Sequence, residues 1–155
     1  MSAIQAQGGI PAGEKVTVTS RFGTFEFERD QTISMPHGLL GFAGFRDFGL
    51  AAPRQANFGE FKILQSLTDA DLSFIVLPLP VDNPLIDVAD VRDVASHLGA
   101  EVANLAILLI ATIRQIGGAA KLTVNTQAPV FLDTQRRLAW QHVIHSNKYT
   151  VQHEL

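Results

Sequence analysis

Along most of this chain, apolar and polar side chains alternate with a period of two, the mark of strands with one buried and one wet face. In "KVTVTS" Val16 and Val18 alternate with threonines, and in "TFEFE" Phe25 and Phe27 alternate with glutamates. Only "RFG" separates the two, which predicts an opening hairpin. "EFKILQSL" (Glu60–Leu67) and "LSFIVLP" (Leu72–Pro78) predict two further strands across the aspartate-rich turn "TDAD". "PLPVDNPL" (Pro78–Leu85) then carries three prolines, and their missing N–H groups predict no central strand there.

One segment changes period. "DVADVRDVASHLG" places Val88, Val91, Val94, Ala95 and Leu98 on a single helical stripe. Asp87 and Asp90 stand near its start, where the helix dipole favours negative charge, and Gly99 supplies a stop. Beyond it, "NLAILLIATIRQ", "KLTVNT", "PVFLD" and "RLAWQHVI" are rich in β-branched and aromatic residues and predict strands, with Gly117-Gly118 turning the first pair. Seven to nine strands and one or two short helices, without an internal repeat, predict a mostly β protein. The expected architecture is one small antiparallel β-barrel-like domain, or a sandwich, over residues 15–155, behind a flexible Gly/Pro-punctuated tail at 1–14.

Composition narrows the chemistry. A chain of 155 residues with 46% hydrophobic side chains buries enough surface to fold without staples. The absence of cysteine excludes disulfides, thiolate metal sites and cysteine nucleophiles, and suits a reducing cytosol. Twelve Lys and Arg against 15 Asp and Glu give −3, which offers no general attraction to nucleic acid or anionic lipid. The longest apolar run, Val102–Ile113, is interrupted by Asn104 and Thr112 and is too short for a membrane span. The start "MSAIQAQGGIPAGEK" lacks the charged and apolar regions of a signal peptide. A cytoplasmic protein is expected.

Candidate chemistry is thin. "GGIPAGEK" has phosphate-loop spacing, but Glu14 occupies the lysine position, Val16 carries no hydroxyl, and a strand follows where a helix is needed. His142 and His145, three apart on an expected strand, face opposite sides and cannot chelate one metal alone, although spacing leaves a His145–His153 pairing open. The aspartates at 69, 71, 82, 87, 90 and 93 cluster at turns and at the helix start, where short carboxylates cap backbone amides. Arg136, Arg137 and Lys148 lie near Trp140 and Tyr149, too few cations for an RNA-stacking groove. No catalytic constellation and no cofactor are expected. A small-ligand- or metal-binding barrel is the alternative that five histidines and an apolar interior keep open.

The segment "SMPHGLLGFAGF" (Ser34–Phe45) stands apart. Pro36, Gly38, Gly41 and Gly44 shape its backbone, while Leu39, Leu40, Phe42 and Phe45 are more apolar surface than a loop ordinarily carries. Either they plug one end of the barrel or they form a protein-docking patch.

These residues resemble a known family. "MPHGLLGFAGFRDFGL" is similar to the signature Phe/Met-Pro-x-Gly-Leu/Ile-x-Gly-Phe of the flagellar assembly factor FliW family. "FKILQSLTDADLSFIVLP" and "KLTVNTQAPVFLDTQRRLAWQHVIHSNKYTVQH" resemble two later blocks of that family, in the same order. The resemblance spans about Val16 to His153. It implies a non-enzymatic cytoplasmic protein that binds newly made flagellin and, in competition, the translational regulator CsrA, relieving repression of flagellin synthesis. No membrane and no direct nucleic acid are implied. Pro36, Gly38, Gly41, Gln65, Ser66, Asn125, Ala128 and Pro129 match family motifs and serve fold or binding. Leu39, Phe42, Phe45, Arg136, Gln141 and Tyr149 are the candidate partner contacts.

Overall fold

The structure is a computed structural model that describes residues 14–53 and 59–155. The expected tail and phosphate-loop-like stretch lie, up to residue 13, outside the described residues. In chain order the elements are β1 (Lys15–Ser20), β2 (Gly23–Glu28), β3 (Thr32–Ser34), β4 (Asp47–Ala51), β5 (Lys62–Ser66), β6 (Ser73–Leu79) and α1 (Val88–Leu98). They continue with β7 (Leu105–Ile116), β8 (Ala119–Val124), β9 (Val130–Asp133), β10 (Leu138–Gln141) and β11 (His153–Glu154). The mostly β reading holds, with one α-helix among the described residues and short 3₁₀ turns at Arg29–Gln31 and Val102–Asn104.

Seven strands close on themselves in the order β3-β4-β5-β6-β7-β9-β10 and back to β3. Every neighbour in this ring is antiparallel except β10 and β3, which run parallel and pair only at Leu138 and Ser34. That thin closure makes a ring of strands and not a strict barrel. Arg137 splices it. Its backbone takes φ 55°, its carbonyl accepts the Ser34 N–H at 2.9 Å, and its guanidinium donates to the Thr32 and Gln31 carbonyls at 3.3 and 3.1 Å.

Alternation along each strand sorts the apolar side chains into three cores. Ile33, Phe48, Leu64, Val76, Leu108, Val130 and Ala139, at least one from every ring strand, point inward and fill the ring with side chains. Leu77, Leu105, Ile107, Leu109 and Phe131 face outward and are covered by Val91, Val94 and Ala95 of α1. Ala51 and Ile63 face outward elsewhere, under Val18, Phe25 and Phe27 of the β1–β2 hairpin. That hairpin seats closely because position 49 is glycine: a Cβ there would lie 2.4 Å from the Phe27 ring.

Two expectations need correction. β6 continues through Pro78 to Leu79, pairing with β7 at Leu108 and Ile107. The proline is tolerated because pairing with β5 has already ended at Val76, so one edge needs no donor. Val88, placed on the apolar stripe, is 39% exposed, and the buried face of α1 begins at Val91. Gly99 ends the helix at φ 68°, as its position implies.

Candidate protein-docking surface

Between β3 and β4 the chain folds over one end of the ring. Met35 to Gly38 make a turn with Pro36 in second position, and the Gly38 N–H reaches the Met35 carbonyl at 3.0 Å. Gly38 is required twice over. Its φ is 64°, and a Cβ would stand 2.6 Å from the Phe42 carbonyl oxygen. The Phe42 N–H then bonds the Leu39 carbonyl at 2.8 Å, and the Phe45 N–H the Phe42 carbonyl at 3.1 Å. Gly41, at φ 84°, turns the chain in open space.

The two sequence readings of this segment divide by residue. Leu39 is 2% exposed and joins the ring interior with Met35, while Phe45 is half-buried against it, so these two plug the end. Leu40 is 58% exposed and Phe42 37%. Phe42 rests edge-on against Phe74 of β6, centroids 5.4 Å apart, and against Phe45 at 6.4 Å. The outward surface is therefore Leu40 and Phe42, and Leu39 is corrected to a core position.

Side chains from the distant third motif fix this surface. Gln141 accepts the Leu40 N–H on Oε1 at 2.8 Å and donates from Nε2 to the Ala128 carbonyl at 3.1 Å. Asn125 Oδ1 in turn accepts the Gln127 and Ala128 N–H groups, holding the turn that leads through Pro129 into β9. Gln65 and Ser66, both fully buried, do the same for the β5–β6 turn: Gln65 Nε2 donates to the Ser66 carbonyl at 3.0 Å, and Ser66 Oγ accepts the Thr68 and Asp69 N–H groups. These motif residues orient backbone; their polar atoms are occupied inside the fold.

Tyr149 is also corrected. It is 7% exposed, its hydroxyl donates to the Asp90 carboxylate and accepts the Asp87 N–H at 3.1 Å, and so it ties the C-terminal segment to α1. Lys148 completes the tie, 2.8 Å from Asp87 and 2.9 Å from Asp90. The Tyr149 hydroxyl, then Lys148, hold the Asp90 carboxyl below its usual range. Asp87 precedes α1 without capping it, because its carboxylate is turned to Lys148. Arg136 is exposed, paired with buried Asp133 at 2.8 Å and stacked 5.7 Å from the Trp140 ring centre.

The histidine expectation fails on secondary structure. β10 ends at Gln141, so His142 and His145 leave the two-residue period and line one cavity with His97 and Asp93 of α1. The His97 and His142 rings stand edge-on at 5.5 Å. Burial, then His97 and His145, push the His142 imidazole below its ordinary pKa. Among the described residues, no group of three or more His, Asp or Glu is arranged to hold a metal ion. No helix there is long and apolar enough to cross a membrane.

Phe74 belongs to the surface although the sequence reading did not single it out. The inward position of Phe74 follows from alternation, but its meeting with Phe42 depends on ring closure, which leaves no local trace.

Comparison with known proteins converges. The FliW protein family matches residues 16–155. A flagellar assembly factor FliW of Geotalea uraniireducens is 36% identical over 140 residues, covering 90% of this chain and 82% of that protein. One of Syntrophotalea carbinolica is 33% identical over 147 residues, covering 91% and 98%. A crystal structure of the flagellar assembly factor FliW superposes with a TM-score of 0.68 at 23% identity, over 91% of this chain and 96% of the other, and so shares the fold.

Proposed function

The chain belongs to the FliW family of flagellar assembly factors, a non-enzymatic family, and from that premise we propose that it acts in the cytoplasm by docking two proteins in turn. One is newly made flagellin, shielded before export. The other is the translational regulator CsrA, whose repression of flagellin synthesis is relieved when the factor is free to bind it. Such a switch needs an adhesive surface and no reactive group.

The observation that carries the reading is the Leu40–Phe42 pair, exposed yet immobilised by Gln141 beneath one residue and Phe74 beneath the other. An aromatic anchor held in place before binding loses little freedom on docking, which concentrates affinity in few residues. Phe45 supports that anchor from below, and exposed Arg136 is a second candidate contact. Isothermal titration of the full chain against purified flagellin and purified CsrA tests the proposal. Binding of both is expected, with Phe42→Asp weakening at least one by about tenfold or more. Absence of binding to both at tens of micromolar sinks the reading.

A further inference from the structure

β7 is laddered on both edges only along its first half. Leu105–Leu108 pair with β9 on one edge, and Ile107–Ile110 pair with β6 on the other. From Ala111 to Ile116, β8 occupies the first edge, and from Thr112 onward no described residue pairs with the second. The Ile110 carbonyl accepts the Asn125 N–H on the β8 side at 2.9 Å. The N–H and C=O of one strand residue share an edge, so alternation directs residues 112, 114 and 116 to β8 and Ile113 and Gln115 to the open edge, while the Ala111 N–H is already taken up by the Val76–Ile110 pairing with β6. Ile113 and Ile116, on opposite faces, are 50% and 53% exposed.

The complement of an open strand edge is another strand. Charge says which kind. Arg114 stands directly across from Lys121, an unfavourable like-charged pair. Lys121 is relieved by Glu154 of β11 at 2.7 Å, whereas Arg114 has no ion-pair partner among the described residues. The next strand position beyond Arg114 therefore favours a carboxylate. A second copy of the same edge cannot supply it, because residues 102–132 contain neither Asp nor Glu.

We propose that Thr112–Ile116 is a strand-addition site for an extended, acid-bearing segment of a partner protein. The proposal rests on the reading of this chain as a protein-docking factor, but on backbone and charge that the Leu40–Phe42 surface does not use.

The test has two arms on the full chain. In the first, amide hydrogen exchange follows addition of a blocked hexapeptide alternating valine and threonine around one glutamate, with its glutamine counterpart as control. Added protection at Ile113 and Gln115, stronger for the acidic peptide, is expected. In the second, flagellin and CsrA are titrated against Gln115→Pro, which removes an N–H that pairs with no described residue, and against Arg114→Glu and Arg114→Gln. A loss of about tenfold for Gln115→Pro with one partner, and a smaller loss for both arginine variants, is expected where melting is unchanged. Wild-type affinity in all three variants together with no peptide protection overturns the site. Concentration-dependent dimerisation that occludes the edge overturns the choice of occupant. If the wild-type chain binds neither protein, the functional reading fails and the peptide arm alone decides the edge.

Discussion

Ile107, Leu108 and Leu109 are at most 1% exposed, while Ile113 and Ile116, on the same strand, are half exposed. The residue types are alike, so hydrophobicity does not separate the halves of β7. What separates them is topology. The first half has strands on both edges, α1 over its outer face and the ring core beneath it. The second half has β8 on one edge and, among the described residues, no strand on the other. The sharpest way to break this contrast is to truncate one residue in each half. Leu108→Ala should destabilise by about 2–5 kcal/mol, through lost burial and the cavity left behind. Ile113→Ala should stay within about 0.5 kcal/mol, as exposed substitutions do. Urea unfolding of the two variants measures the difference, and equal losses would mean that the distal half is packed as tightly as the proximal one.

The plug at the end of the ring offers a second contrast, between two glycines in left-handed conformations. Gly38 is buried with a carbonyl in the way of any side chain, whereas Gly41 has nothing within 4 Å. Gly38→Ala should lose about 1–3 kcal/mol, since strain and collision act together. Gly41→Ala meets only the backbone term, costing about 1 kcal/mol. Unfolding midpoints at constant slope would show it. A Gly38→Ala protein as stable as Gly41→Ala would mean that the plug tolerates displacement, and that Leu40 and Phe42 are less firmly fixed than their hydrogen bonds imply.

How far such features are legible beforehand depends on their range. The opening hairpin, α1 with its Gly99 stop and the Gly117-Gly118 turn are local, written in periods and turn residues over a few positions. Ring closure is not: Ser34 and Leu138 meet through one parallel pair spliced by Arg137, and no periodicity spans that separation. The same limit explains the site. The apolar excess of Leu39–Phe45 is visible in sequence, but which side chain turns inward depends on where the ring end lies. Tyr149 reads as a possible contact because it matches a family motif; its place in the core beneath α1, with its hydroxyl tied to Asp87 and Asp90, depends on residues far away in sequence. His142 and His145 mislead because a strand-like composition runs past the true end of β10.

Removing the Tyr149 hydroxyl probes the seam between α1 and the C-terminal segment, the surface that screens the proximal half of β7. Tyr149→Phe leaves the ring in place but strips a hydrogen bond from Asp90 and leaves the Asp87 N–H without its partner. A loss of about 1–2 kcal/mol is expected in urea unfolding. A neutral result would assign the seam to Lys148 and apolar contact alone.

The smallest effect expected is a pH dependence, and it divides the seam into two ends. At one end Asp87 and Asp90 meet Lys148 and Tyr149, opposite in charge or hydrogen-bonded. At the other, His97 and Asp93 of α1 face His142 and His145, so acidification gathers positive charge against a single carboxylate. Burial, then His97 and His145, hold the His142 imidazole below its ordinary value of 6.5, and Asp93 only partly opposes them. The folded state thus favours neutral His142 more than the unfolded chain does. Its contribution is fully present above 6.5 and declines as pH falls through the lower folded value. Asp90 is held below 3.8, so its contribution persists until pH falls beneath that range. Between pH 7 and pH 5 only the histidine end changes. The melting temperature should fall over that interval, and His142→Gln should flatten the slope, whereas Tyr149→Phe should lower stability at both pH values by a similar amount. A slope unchanged in His142→Gln would place the titrating group elsewhere and leave the two ends of the seam electrostatically alike.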